Sequence, residues 1–346
     1  LSGEPSSFLA ACRGQPARYT PVWFMRQAGR YLPEYRAIRA KASLLEICRR
    51  PDLATEVTLQ PIERLGVDAA ILFADILLPF EPLGLGLSFA QGEGPVIARP
   101  VRSAADVARL PEVDPADALG YVLEAVRAIR KALADRVPLI GFAGAPFTLA
   151  SYAIEGGGTR DFVTTKTFMY REPQAWHALL DRLATVVGRY LAAQAAAGAQ
   201  AVQLFDSWVG CLAPEDYRRY VLPHSMKALQ LAAASGVPVI HFGTGTATLL
   251  EAMAEAGGDV IGVDWRIPLD VAWARVPGCG IQGNLDPAAL LGPSDDLDAR
   301  VRDILRRAGG RAGHIFNLGH GVLQPTDPGR LRAVVDLIHE ASARRD

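Results

Sequence analysis

Pro21-Val22-Trp23-Phe24-Met25-Arg26-Gln27-Ala28-Gly29-Arg30-Tyr31-Leu32-Pro33-Glu34-Tyr35-Arg36 reads as one strand-to-helix unit. The apolar run 22–25 ends in a loop with arginines on either side of a glycine, and Pro33 with Glu34 then suits the first turn of a helix. The same order of apolar run and loop recurs at 69–74, 139–143, 201–205, 237–242, 260–263, 280–283 and 314–318, with amphipathic stretches at 121–133, 176–195, 248–256 and 328–341. Continuous apolar strands alternating with helices predict a parallel sheet wrapped by helices. Eight such units predict a (β/α)8 barrel of the TIM type, with a doubly wound open sheet as the alternative topology. No repeat, low-complexity tract or Pro/Ser linker divides the chain, so residues 1–346 are expected to form a single domain. The stretch 79–102, with several Gly and Pro residues, reads as an insertion after the second strand, a hairpin or lid.

Composition bounds the partners. Half of the 346 residues are hydrophobic and 21% are charged, which is ordinary for a globular chain with a large core. With 36 basic and 37 acidic residues there is no general positive field to collect nucleic acid or anionic lipid, so any anion site must be local. The four cysteines, Cys12, Cys48, Cys211 and Cys279, are scattered without a CxxC or a close Cys/His pair, which points away from a disulfide scaffold and from structural zinc. A reducing cytoplasm is the expected setting, with no targeting or membrane segment: residues 1–20 lack an apolar signal core, and the Ala-rich stretch 185–205 is interrupted by Arg189, Gln194 and Gln200.

The charge that is present is concentrated. From Arg26 to Arg39, four arginines stand against Glu34, a local excess of +3 in a chain of net charge -1. Arginine forks match carboxylates bidentately, each charge-assisted bond contributing about 1.5–3 kcal/mol, so the loop predicts a polycarboxylate ligand. Arg36 reads instead as a solvated helix face, Arg39 remains open, and Arg26 and Arg30, which precede the helix, are the candidates.

A barrel carries its site at the carboxyl ends of the strands. The residues following the apolar runs are Arg26, Asp75, Gly144-Ala145-Pro146, Asp206 with Ser207, Gly243-Thr244-Gly245, Asp264, Asn284 and His320. Asp75, flanked by Ile71-Leu72-Phe73 and Ile76-Leu77-Leu78, is a carboxylate in apolar surroundings that disfavour its ionised form. It requires a partner: a structural ion pair with Arg26 or Arg30, a cationic or N–H-rich substrate, or a helix N-terminus that it caps. On local evidence Tyr152 reads equally as a packed aromatic, Ser207 as a helix cap and His320 as a buried ring bonded to backbone. His241 and His314 read as core or supporting histidines.

Several long strings resemble a known family. The 21–36 stretch is similar to the N-terminal signature of the uroporphyrinogen decarboxylases, and Gly141-Phe142-Ala143-Gly144-Ala145-Pro146-Phe147-Thr148-Leu149-Ala150-Ser151-Tyr152 to the second. Phe205-Asp206-Ser207-Trp208, Gly283-Asn284-Leu285-Asp286-Pro287 and Phe316-Asn317-Leu318-Gly319-His320-Gly321 resemble later blocks, in family order across nearly the whole chain. The resemblance implies a barrel, a homodimer with facing clefts, and decarboxylation of the four acetate side chains of uroporphyrinogen without metal or other cofactor. It implies that Asp75 faces the pyrrole N–H groups. It further implies that Arg26, Gln27, Ala28, Gly29, Arg30, Tyr152, Ser207 and His320 contact the substrate. Arg26 and a bound water are both left as candidates for the proton donor, the arginine being a poor acid at neutral pH.

Other chemistries lack their parts. A zinc-dependent corrinoid methyltransferase, the nearest alternative within the superfamily, needs thiolates, whereas His241-Phe242-Gly243 has glycine where the cysteine would fall and Asn317-Leu318-Gly319-His320 offers none. A Schiff-base enzyme needs a strand-end lysine, and none of Lys41, Lys131, Lys166 and Lys227 ends an apolar run. Phe205-Asp206-Ser207-Trp208 is not a G-x-S-x-G elbow, and Gly243-Thr244-Gly245 is a weak phosphate loop. A tetrapyrrole carrier would share the arginines and the apolar pocket, but would bind its ligand without turnover.

Overall fold

A computed structural model describes residues 6–90 and 94–344 of the chain. In chain order its strands are β1 (Ala70–Ile71), β2 (Leu87–Ala90), β3 (Gly94–Ile97), β4 (Leu139–Gly144), β5 (Ala201–Asp206), β6 (Val239–Gly243), β7 (Val260–Gly262), β8 (Gly280–Gln282) and β9 (His314–Ile315). Seven form one parallel sheet in the order β1-β4-β5-β6-β7-β8-β9, and β2 and β3 form a separate antiparallel pair. The sheet closes through the 21–23 segment. Val22 bridges Phe316 in parallel, Phe316 N–H donates to Pro21 C=O at 2.8 Å, and Asp68 N–H donates to Val22 C=O at 2.8 Å. The ring is therefore the expected eight-part barrel, its first member reduced to a single ladder position.

Side chains explain that reduction. Val22 N–H is taken by the Asp68 carboxylate at 2.7 Å, Phe24 N–H by Gln27 Oε1 at 3.1 Å and Met25 N–H by Asn317 Oδ1 at 3.1 Å. Backbone donors satisfied in this way do not extend a ladder. The run at 69–74 is likewise cut short where Phe73 N–H donates to Thr58 Oγ1 at 3.0 Å.

Alternation sorts the strand side chains. Ile71, Ile140, Ala201, Ile240, Phe242, Val260 and Ile315 pack with Trp23 and Met25 in one buried interior cluster, which also holds Phe8, Ala11 and Cys12 of the Ser7–Cys12 helix. That helix plugs the amino-terminal end of the barrel. A polar string crosses the interior: Trp23 Nε1 donates to Gln282 Oε1 and Gln282 Nε2 to Gln203 Oε1, both at 3.0 Å. His241 faces outward, its Nδ1 3.3 Å from Met253 C=O, and His314 Nε2 lies 3.1 Å from Gly283 C=O; burial pulls both rings down to about 4. They are core histidines, as their sequence positions indicate.

Within residues 79–102 lies the β2–β3 hairpin. It is pinned to the Pro146–Glu155 helix by a Val96–Gly157 bridge and by Ile97 N–H to Gly156 C=O and Val101 N–H to Ala153 C=O, both 2.9 Å. Among the described residues no helix is long and apolar enough to cross a membrane.

Candidate active site

The arginine loop is shaped from beneath by two buried amides. Asn317 Oδ1 accepts from Met25 N–H and, at 2.8 Å, from Leu318 N–H, while Gln27 Nε2 donates to Ala69 C=O at 3.0 Å. Gln27 C=O accepts the Tyr31 hydroxyl at 2.5 Å and its N–H donates to Phe24 C=O. Gln27, a ligand contact by the family resemblance, is fully buried, and its side-chain hydrogen bonds support the loop from within the protein. Ala28 and Gly29 are half-buried and Arg26 and Arg30 exposed. Arg26 sits at φ +58°, a left-handed conformation unusual for a non-glycine residue. Among the described residues, neither guanidinium makes an ion pair or side-chain hydrogen bond.

Asp75 is half-buried just beyond β1. Its Oδ1 accepts from Leu77 N–H at 2.8 Å, an Asx turn leading into the Leu78–Phe80 3-10 helix. Its other oxygen has no protein partner among the described residues, and no ion pair joins it to Arg26 or Arg30. Of the three readings open from sequence, the structural ion pair is not formed, and the turn uses one oxygen and leaves the second available. Desolvation raises the Asp75 pKa, only partly offset by the Leu77 N–H and the Arg26 charge.

Tyr152, on the Pro146–Glu155 helix, stacks on Trp208 with ring centroids 3.8 Å apart and planes 26° apart. Burial pushes its phenol up to about 12, the Asp75 charge adding to the rise and Arg26 opposing it. The stack is the packed-aromatic feature read from sequence, yet the hydroxyl has no protein partner among the described residues. Ser207 follows β5 and is half-buried; its carbonyl accepts from Thr244 Oγ1. His320 is half-buried, and its Nδ1 accepts from Gly321 N–H at 2.6 Å. Burial first, then Arg26 and Arg266 against the opposing Asp264, lower its pKa to about 4. The ring is neutral at pH 7 and carries its proton on Nε2, a donor suited to a carboxylate. Arg26, Asp75, Tyr152 and His320 thus share one electrostatic field.

The inner faces of β4 and β5 end in Phe142 and Phe205, both half-buried and edge-to-face at 5.5 Å. They give the mouth an apolar floor. Asp206 does not reach it: the side chain is fully buried, bonded to Thr148 Oγ1 at 2.9 Å. Asp264 and Asn284 are spent on the loops after their strands, Asp264 accepting from Gly245 N–H at 2.6 Å and Asn284 Nδ2 donating to Asp264 C=O and Ile267 C=O at 2.9 and 2.7 Å. Arg266 and Trp208 are features of the mouth that strand-end reasoning did not single out. Among the described residues, no three His, Cys, Asp or Glu side chains gather as metal ligands. Two clefts of about 640 and 520 Å³ open at the opposite end of the barrel, against the plugging helix.

A closed parallel barrel of the (β/α)8 class thus carries unpaired arginines, a desolvated carboxylate and a neutral imidazole at its carboxyl-terminal mouth. Comparison with known proteins is specific. Residues 4–341 match the family described as uroporphyrinogen decarboxylase (URO-D). A uroporphyrinogen decarboxylase of Sorangium cellulosum (strain So ce56) is 60% identical over 96% of this chain and 95% of its own length, and one of Carboxydothermus hydrogenoformans is 56% identical over 97% of each. Among solved structures, a methyltransferase from Methanosarcina mazei shares the fold, with a TM-score of 0.78 at 20% identity over 96% of this chain and 97% of the other. The chain belongs to the uroporphyrinogen decarboxylase family.

Proposed function

We propose that this chain decarboxylates the four acetate side chains of uroporphyrinogen III to methyls, giving coproporphyrinogen III and CO2 in tetrapyrrole biosynthesis, as a carboxy-lyase without a cofactor. The observation that carries the reading is the half-free Asp75 carboxylate, desolvated beside unpaired Arg26 on an apolar floor. In a pyrrole acetate, protonating the adjacent ring carbon makes a cation; CO2 then leaves, its bonding electrons neutralise the ring as an exocyclic methylene, and protonation of that methylene with loss of the proton first added at the ring carbon gives the methyl and restores the pyrrole. Asp75 beside the pyrrole nitrogens stabilises that cation more than the neutral ring, the differential binding that catalysis requires. Arg26 and Arg30 hold peripheral carboxylates, with His320, Ser207 and Tyr152 as neutral donors and the 28–29 backbone as a close wall.

The test is anaerobic turnover of uroporphyrinogen by protein purified in chelator, with no metal, pyridoxal phosphate or corrinoid added. The expected result is coproporphyrinogen and CO2, with the oxidised porphyrin left unconverted because its aromatic conjugation resists protonation at carbon. Binding without turnover would make the protein a carrier, and activity restored only by zinc would favour methyltransferase-type chemistry. The same reading makes the chain a cytoplasmic, single-domain homodimer with residues 79–102 as an insertion in the barrel. Sedimentation equilibrium giving a monomer would remove the dimer.

A further inference from the structure

His320 stands between two glycines, and each lets an arginine-bearing loop approach. A β-carbon on Gly321 would meet Arg26 Cγ at 2.7 Å; one on Gly319 would meet the Trp265 N at 2.7 Å and Asp264 Cα at 2.9 Å. The chain after β7 therefore lies directly against the His320 loop at Gly319, and the residue that follows Trp265 is Arg266. Its guanidinium carbon lies 4.4 Å from the Trp265 ring centroid. One N–H group binds Asp264 Oδ2, and the Arg266 backbone N–H donates to Asp264 Oδ1 at 3.1 Å. Asp264 is itself 1% exposed in its side chain, whereas that of Arg266 remains 52% exposed. Held from below by a buried carboxylate and from one face by an indole, the guanidinium keeps its remaining N–H groups without a partner among the described residues. A surface arginine that served only the ion pair would not need the indole as well.

The geometry points to Arg266 as a further substrate-binding residue, a pre-positioned fork for a peripheral carboxylate beside the loop that carries His320. The assignment rests on the uroporphyrinogen reading of the site. Its chemistry follows from the ligand: a macrocycle with carboxylates around its whole rim, centred over the Phe142–Phe205 floor, needs cations on more than one side. Stacking and the Asp264 anchor reduce the freedom Arg266 loses on binding. The single Asp264 charge offsets part of its positive field, so the net effect is orientation as well as attraction.

Steady-state turnover of uroporphyrinogen by Arg266→Gln tests this. KM should rise about tenfold, the loss of one charge-assisted contact, with kcat within about twofold. The His320 imidazole, followed by NMR in the ligand-free protein, should titrate at higher pH once the neighbouring cation is gone and stay at its wild-type position in Arg266→Lys, which keeps the charge, whereas loss of burial would raise it in both variants. Arg266→Lys keeps a charge beside Asp264 and guards against misfolding; it should still show a raised KM, because one ammonium cannot serve Asp264 and a carboxylate with a planar fork. Unchanged KM and unchanged His320 titration in folded Arg266→Gln protein would overturn the assignment. A wild-type chain without turnover would instead overturn the proposed function, while the His320 titration still reports whether Arg266 faces that ring.

Discussion

The Arg26 side chain lies along Gly321, where a β-carbon would come within 2.7 Å of its Cγ and 3.1 Å of its Cβ. These atoms are the root of the side chain, not its mobile end, and Arg26 is already held at φ +58°. Gly321→Ala must therefore move the guanidinium rather than graze it. Misplacing a positioned group by about 1 Å can cost on the order of 10^2-fold in rate, so kcat/KM should fall by about that much. Thermal melting should stay close to wild type, since the side chain that must move, Arg26, is exposed. Wild-type kcat/KM in the variant would show that Arg26 has no fixed place in the reaction.

Asp75→Asn preserves shape and one of two interactions. Asn Oδ1 can accept the Leu77 N–H that Asp75 Oδ1 accepts at 2.8 Å, so the turn should persist while the charge facing the mouth is lost. Turnover should slow by roughly 10^2 or more on electrostatic grounds. In the wild type, desolvation raises the Asp75 pKa, so the acid limb of kcat/KM should lie above the ordinary carboxylate range and be absent from any residual activity of the variant. A folded Asn variant with near-normal kcat would remove Asp75 from the mechanism.

Arg30 is exposed and without an ion-pair partner among the described residues, so its loss should be felt in binding. Arg30→Ala should raise KM and flatten its dependence on ionic strength, because one screened charge no longer contributes. Arg30→Lys should recover only part of the affinity if a bidentate fork is used. Full recovery by lysine would reduce the loop to a general positive potential.

The barrel was legible because its signal is local: apolar runs followed by helical patterning recur in order, and all eight positions lie in the closed ring. The positions of Arg26, Asp75, Ser207 and His320 at the barrel mouth were legible because each follows an apolar run directly. What sequence hid depends on partners distant in the chain. Gln27, set among arginines, reads as a ligand contact; its burial is decided by Ala69 C=O and Phe24 N–H. Arg266 reads as an ordinary surface charge until Gly319, on another strand's loop, brings Trp265 against the loop that carries His320. The 22–25 run reads as a full strand, and only the Asp68, Gln27 and Asn317 side chains show why its ladder stops.

Asp206 shows how stability and pH are linked away from the mouth. Fully buried, with Oδ1 bonded to Thr148 and Oδ2 without a partner, it has its pKa pushed up by burial to about 7, against the lowering by its Thr148 bonds. In the unfolded chain an aspartate titrates near about 3.9. The native state therefore holds this proton where the unfolded state has released it, so the favourable contribution is complete below about pH 4 and lost as pH rises through 7. Asp206→Asn, neutral throughout, should match the wild type in thermal stability at pH 4 and exceed it at pH 8 by several degrees. The comparison is between two melting curves at each pH, so titrations common to both proteins cancel. A variant less stable than wild type at pH 8 would show that the buried carboxylate is ionised and held by donors, reversing the sign of its contribution.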